Sequence, residues 1–204
     1  MTEVELSRRE RKKEETKDRI FKAAFALFKR QGVESTTVEE ICEKADVAKG
    51  TFFNYFPRKE AVFSYLAEDW FGQAEDESAA IVAKPGRVGP QLIGMFSELA
   101  GFYEQEPGLA KYVLDEWMQR QHAEDDQLCR QWDDLALRLV EKLQANGELR
   151  KDETAERLTG VLQCVHQGTI LEFVASPKPP FPLRAELRRR LTLAIEGLAP
   201  RGGK

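Results

Sequence analysis

The residues most able to do chemistry lie between Lys49 and Tyr55. There Lys-Gly-Thr-Phe-Phe-Asn-Tyr sets a cation, a hydroxyl, an amide and three aromatic rings side by side. Lysine binds phosphate or guanine, asparagine can read adenine with two hydrogen bonds, and an apolar ring can meet a thymine methyl. Gly50 has no side chain, so a phosphate can approach the backbone N–H. Glycine weakens a short helix, and close approach of a ligand is one reason to keep it. Phe52 and Phe56 are expected in a core. Four aromatics in the five positions 52–56 cover more than one helix face, which places Phe53 and Tyr55 partly outside that core. Lys49, Thr51, Phe53, Asn54 and Tyr55, with Gly50 beside them, are the candidate DNA-reading set.

The elements that must position this set are short helices. Ile20, Ala23, Ala24, Leu27 and Phe28 form one apolar stripe at helical spacing, and Gly32 follows as a C-terminal cap. Thr37-Val38-Glu39-Glu40 reads as a capping box opening a helix that runs through Ile41 to about Ala45. Asp46-Val47 makes a tight turn, and a second short helix covers about Ala48 to Tyr55. Two short helices joined by a tight turn make the helix-turn-helix geometry, in which the first props the second in the major groove. Ala45 is small where the helices meet, Ile41, Val47 and Phe52 make a miniature core, and Phe56 closes it. Pro57 is expected to start the next helix.

This stretch resembles the TetR family of bacterial transcriptional regulators. The resemblance rests on the stripe Ile20 to Phe28, Gly32, Thr37-Val38-Glu39-Glu40-Ile41, and the run from Ala45-Asp46-Val47 through Tyr55-Phe56-Pro57-Arg58-Lys59-Glu60. It covers about residues 16–66. It implies a homodimer that binds a palindromic double-stranded DNA operator and is released by a small molecule held in C-terminal helices. It also implies Thr37 and Lys59 on phosphate, and Lys49, Gly50, Thr51, Phe53, Asn54 and Tyr55 on the recognition helix. The chain departs from the family in three places. Asp46 stands where glycine is usual, and aspartate tolerates the left-handed conformation. Ala48 replaces a frequent serine. Phe53 replaces a common tyrosine and so lacks one hydroxyl contact. The segment Arg8-Arg9-Glu10-Arg11-Lys12-Lys13 precedes the match and reads equally as a DNA-contacting arm or as the exposed first turns of a longer helix.

Charge agrees with an anionic partner at one end. The net charge of -4 conceals ten bases against four acids within residues 7–30. A solvated helix face explains the same run. No apolar stretch approaches the ~20 residues of a membrane span, and the amino terminus lacks signal-peptide features, so the expected compartment is the cytoplasm. Cys42, Cys129 and Cys164 are far apart, without a CxxC pair, and neither a disulfide framework nor a metal site is expected.

Beyond residue 60 the helical period continues to the carboxyl terminus, with a loop of breakers at 84–90 and one stripe from Leu92 to Tyr103. No segment alternates like a strand. The fold class is all-α with about nine helices: residues 1–59 as the DNA-binding domain, 60–204 as a ligand-binding and dimerisation bundle. Phe96, Phe102, Tyr103, Trp117, Met118, Trp132 and Phe173 offer large apolar walls, with His122, Gln163, His166 and Gln167 as scattered polar groups. These fit either a plain core or a site for an apolar or aromatic effector. The last two helices, about 155–174 and 184–198, carry strong apolar faces that pair across a two-fold axis or bury within one chain, and Leu191 is one such position. The run Arg188-Arg189-Arg190 is a solvated edge or pairs with acids across a dimer. No nucleophile, cofactor or phosphate-loop pattern is present, so neither an enzyme nor a cofactor is expected. The alternative is a small α-helical enzyme or carrier that does not bind DNA.

Overall fold

The computed structural model describes residues 8–121, 126–176, 178 and 180–200, and every regular element among them is helical. The chain divides into two units, one ending at Leu66 and the other beginning at Ala67.

In the first unit, α1 (Arg8–Gln31) buries the stripe Ile20, Ala23, Ala24, Leu27 and Phe28. It stops at Gly32, whose φ of 84° is left-handed and whose N–H donates to the Phe28 carbonyl at 2.9 Å. Arg8–Lys13 are helical and exposed, the first turns of α1. α2 (Val38–Ala45) ends at Asp46, which takes φ 53° and ψ 56°. α3 (Lys49–Tyr55) follows. Ile41, Ala45, Phe52 and Phe56 are all buried, and the Phe52 and Phe56 rings lie 5.8 Å apart. Val47 is only partly buried.

Pro57 does not start the next helix. Arg58 is extended, at φ -154° and ψ 163°, which breaks helical continuity after the proline. A 3-10 turn at Lys59–Ala61 leads into α4 (Val62–Val82) instead. Val62 and Phe63 are buried, and Phe63 stacks on Phe28 at 5.4 Å. The first turn of α4 thus supplies core to the first unit.

The second unit contains α5 (Gly89–Leu99), α6 (Gly101–Gln105), α7 (Pro107–Gln121), α8 (Gln127–Ala145), α9 (Ala155–Ala175) and α10 (Leu183–Gly197). α10 packs on α9 and α5. The stripe from Leu92 to Tyr103 is divided at Ala100, next to the point where Arg184 Cδ comes within 3.2 Å of the Cβ position of Gly101. α5 has no local side-chain cap. Its amino terminus is satisfied from far along the chain: the buried Glu148 carboxylate accepts the N–H groups of Val88 at 2.7 Å and Gly89 at 3.1 Å. A Cβ at Gly89 would lie 2.9 Å from Glu148 Oε2, so a larger residue there would displace the capping carboxylate. Asp126 caps α8 through the Cys129 N–H at 3.0 Å and accepts from Arg120 at 2.9 Å.

Candidate functional site

The first two helices of the reading unit are joined by a dense set of local bonds. Thr37 Oγ1 accepts the Glu40 N–H at 3.2 Å, and Glu40 Oε2 accepts the Thr37 N–H at 2.8 Å, completing the capping box. Gln31, at the end of α1, donates to both Glu40 oxygens, at 3.1 and 3.2 Å. The Thr37 N–H and then Gln31 hold the Glu40 carboxyl below its ordinary value. Thr37 itself is exposed at the start of α2.

α3 is arranged differently. Only Phe52 is buried. Phe53 is 51% exposed, and Lys49, Gly50 and Asn54 are exposed as well. Thr51 and Tyr55 are half-buried. The Phe53 ring meets Phe52 edge-on at 5.4 Å, so an exposed ring is braced by a buried one. Nothing lies within 4 Å of a Cβ built at Gly50, which leaves that backbone open to close approach. Lys49 donates to Glu39 of α2, and this bond holds the Glu39 carboxyl below its ordinary range. Glu39 was not singled out from sequence, although an acid and a base on either side of the turn were the available signal. Lys59 donates to the carbonyls of Val33 at 2.6 Å, Thr36 at 2.8 Å and Glu34 at 3.2 Å. The unit therefore presents one short helix bearing a cation, an amide and an aromatic ring, all reachable from outside.

Residues 20–66 match the model of the bacterial regulatory proteins of the tetR family. The helix-turn-helix region is thus similar to the DNA-binding part of TetR-family regulators. The curated relatives that the chain matches are named as HTH-type transcriptional regulators. The uncharacterized HTH-type transcriptional regulator YdgC of Bacillus subtilis is 26% identical over 201 residues, spanning 92% of this chain and 95% of its own length. The HTH-type transcriptional regulator TcmR of Streptomyces glaucescens is 46% identical over 54 residues, 26% of this chain and 24% of TcmR. Among solved structures, Thermus thermophilus FadR, a TetR-family repressor in complex with lauroyl-CoA, superposes with a TM-score of 0.64 at 28% identity. That match covers 92% of this chain and 97% of FadR.

In the second unit the aromatic side chains form pairs. Phe102 and Tyr103 flank Trp70 at 5.3 and 6.0 Å. Trp132 lies between Phe71 at 5.3 Å and Trp117 at 6.4 Å. Phe96 meets His166 edge-on at 5.7 Å, and Phe173 lies 6.1 Å from Phe181. Burial pulls the His166 imidazole down to about 4, so it is neutral at physiological pH. Gln163 donates to Asp133 at 2.8 Å, while Met118 and Gln167 are exposed. His122 lies outside the described residues. Trp70 and Phe71 are ring partners that were not singled out as site residues from sequence. The arginine run of α10 pairs within the chain: Arg188 with Glu98 at 3.6 Å, Arg190 with Glu172 and Glu186 at 2.7 Å each. No helix among the described residues is long and apolar enough to cross a membrane, and no cluster among them could hold a metal ion.

Proposed function

We propose that the chain is a cytoplasmic repressor that binds a palindromic operator as a homodimer and leaves it when a small molecule binds. The observation that carries this reading is the exposure of Lys49, Phe53 and Asn54 on a helix anchored by the single buried ring of Phe52. Lys49 and Asn54 read base edges, Phe53 makes apolar contact, and Thr51 and Tyr55 contact the adjoining backbone. Gly50 admits a phosphate, and the exposed Thr37 meets phosphate from the start of α2. DNA reading belongs to residues 1–59 with the first turn of α4; the remainder serves effector binding and dimerisation.

One recognition helix reads too few base pairs for useful specificity, and a dimer places two of them one duplex turn apart, about 34–36 Å. α9 exposes Val161 at 45% and Leu171 at 53%, and α10 exposes Leu193 at 59%, apolar side chains that a second copy would cover. Leu191 is buried within the chain at 6%. Leu193→Glu is therefore the sharper interface test, and sedimentation should show a monomer.

The effector is apolar or aromatic, and Phe96, Phe102, Tyr103, Trp117, Trp132, His166 and Phe173 are its candidate contacts. FadR's lauroyl-CoA makes an acyl thioester the first probe. The test is fluorescence anisotropy with duplex DNA from upstream of the chain's own gene, with and without lauroyl-CoA. Binding that is specific over a scrambled duplex supports the reading; equal or absent binding overturns it. An effector that weakens DNA binding must itself bind the DNA-loaded form less tightly by the same factor.

A further inference from the structure

We propose that Lys59 acts on DNA binding as a positioning residue: its ammonium clasps the turn between α1 and α2 and so fixes Thr37, and it does not reach a phosphate. The role rests on the reading of this unit as a DNA binder. An ammonium has three N–H donors and no acceptor. In Lys59 all three find carbonyl oxygens, those of Val33 at 2.6 Å, Thr36 at 2.8 Å and Glu34 at 3.2 Å. The lysine is partly buried and lies 23 to 26 residues beyond these partners.

The other carbonyls of the turn are taken too. Gly32 accepts from Thr36 Oγ1 at 2.7 Å, and Ser35 accepts from Gln31 at 3.3 Å. With Lys59 in place, each carbonyl from 32 to 36 has a partner. Without it, Thr36 loses its partner among these bonds, while Val33 keeps the Thr36 N–H at 3.2 Å. A turn that bends the chain from α1 into α2 is thus closed by a cation that the turn does not contain.

The peptide between Thr36 and Thr37 makes the connection to the DNA-facing side. Its carbonyl accepts from Lys59, and its N–H donates to Glu40 Oε2 at 2.8 Å. A cation on one end of a peptide and a carboxylate on the other polarise the group in the same sense, so each bond strengthens the other. The same Glu40 Oε2 accepts from Thr37 Oγ1 at 3.1 Å. Loss of the clasp therefore acts on the orientation of Thr37. A lysine turned toward a phosphate would give up the bonds that hold this arrangement.

Ionic strength separates the two roles. Each lysine on phosphate contributes about 0.9 to the slope of log affinity against log salt. The experiment measures binding of the full-length chain to the upstream duplex over a salt series, for wild type, Lys59→Ala, Lys59→Gln, Thr37→Ala and the Lys59→Ala/Thr37→Ala double variant. All are read below their unfolding transitions. The clasp predicts that Lys59→Ala weakens binding about tenfold with the wild-type slope retained, and that the double variant is no weaker than the poorer single one. Lys59→Gln keeps donors for the turn without charge, and so should bind more tightly than Lys59→Ala, again with the wild-type slope. If Lys59→Ala does not fold, the slope is read on Lys59→Gln. A slope reduced by about 0.9 per half-site, or fold-losses that multiply in the double variant, overturns the clasp. A wild-type chain that binds no duplex overturns the regulator reading and this role with it.

Discussion

α2 and α3 are neighbours in one helix-turn-helix, yet they are held in opposite ways. α2 has a complete capping box, three buried residues in Ile41, Cys42 and Ala45, and a left-handed stop at Asp46. α3 has seven residues, no side-chain cap and only Phe52 buried. Helices this short do not persist alone in water. α2 is held by bonds within its own turns in addition to its buried face, and α3 by one ring in a core. The difference suits their tasks: a recognition helix that used its side chains on its own stability would have fewer to offer a base edge.

The comparison is broken most severely at Phe52. Phe52→Ala should cost about 3–5 kcal/mol, because it removes the anchor of α3 and leaves a cavity. Denaturant unfolding should show the loss, and retention of full stability would mean that α3 has a support other than this ring. Next come the exposed residues of α3. Asn54→Ala and Lys49→Ala should each cost roughly 1–3 kcal/mol of operator affinity and relax preference at one or two base pairs, while the melting temperature stays put. Equal losses on operator and scrambled duplex would reassign either residue to the DNA backbone.

Thr37→Ala removes the cap of α2 and should lower stability by about 1 kcal/mol, together with affinity. Gly50→Ala sharpens the contrast by separating these two readouts. Its Cβ meets nothing within 4 Å, so the variant should gain about 0.4–1 kcal/mol in stability through reduced chain entropy. Affinity should nevertheless fall, because the methyl blocks phosphate approach; a variant that binds as well as wild type would show that no phosphate comes close there.

The smallest effect belongs to the bond that crosses the turn. Glu39 and Lys49 are both exposed, so Glu39→Gln should leave stability at neutral pH nearly unchanged. It should tighten DNA binding, since it frees Lys49 and removes a negative charge from the reading face. The Glu39 carboxyl titrates below its ordinary 4.5, so whatever the pairing contributes is present above that pH and lost as the pH falls through the lower folded value. Denaturation of wild type and Glu39→Gln over that range should converge at the acid end. Tighter DNA binding by wild type than by Glu39→Gln would instead make Glu39 a support for Lys49.

Much of this unit was legible because its signals act over three or four residues. The capping box at Thr37 and Glu40, the left-handed Asp46, the stop at Gly32 and the placement of Phe52 and Phe56 inside with Phe53 outside all follow from local chemistry and helical spacing. The second unit was legible as helices and less so in detail. Its period put Leu191 on the apolar face of the last helix and left open whether that face pairs across a two-fold axis or buries within the chain; the structure buries Leu191 within the chain. The break of one stripe at Ala100 came with an arginine from α10 that no local pattern announces.

The sequence by itself determined the helices, the turn of the reading unit and the residue types offered on α3, because caps, periodicity and left-handed turns are interactions between near neighbours in the chain. Only the tertiary structure decided that Lys59 spends its three donors on a turn 23 to 26 residues earlier, that Glu39 holds Lys49, and that Glu148 caps a helix about 60 residues before it. A lysine or glutamate is a long flexible donor or acceptor with many equivalent partners in sequence. Which of them it meets depends on how the backbone brings distant segments together, and that is set by the packing of the cores.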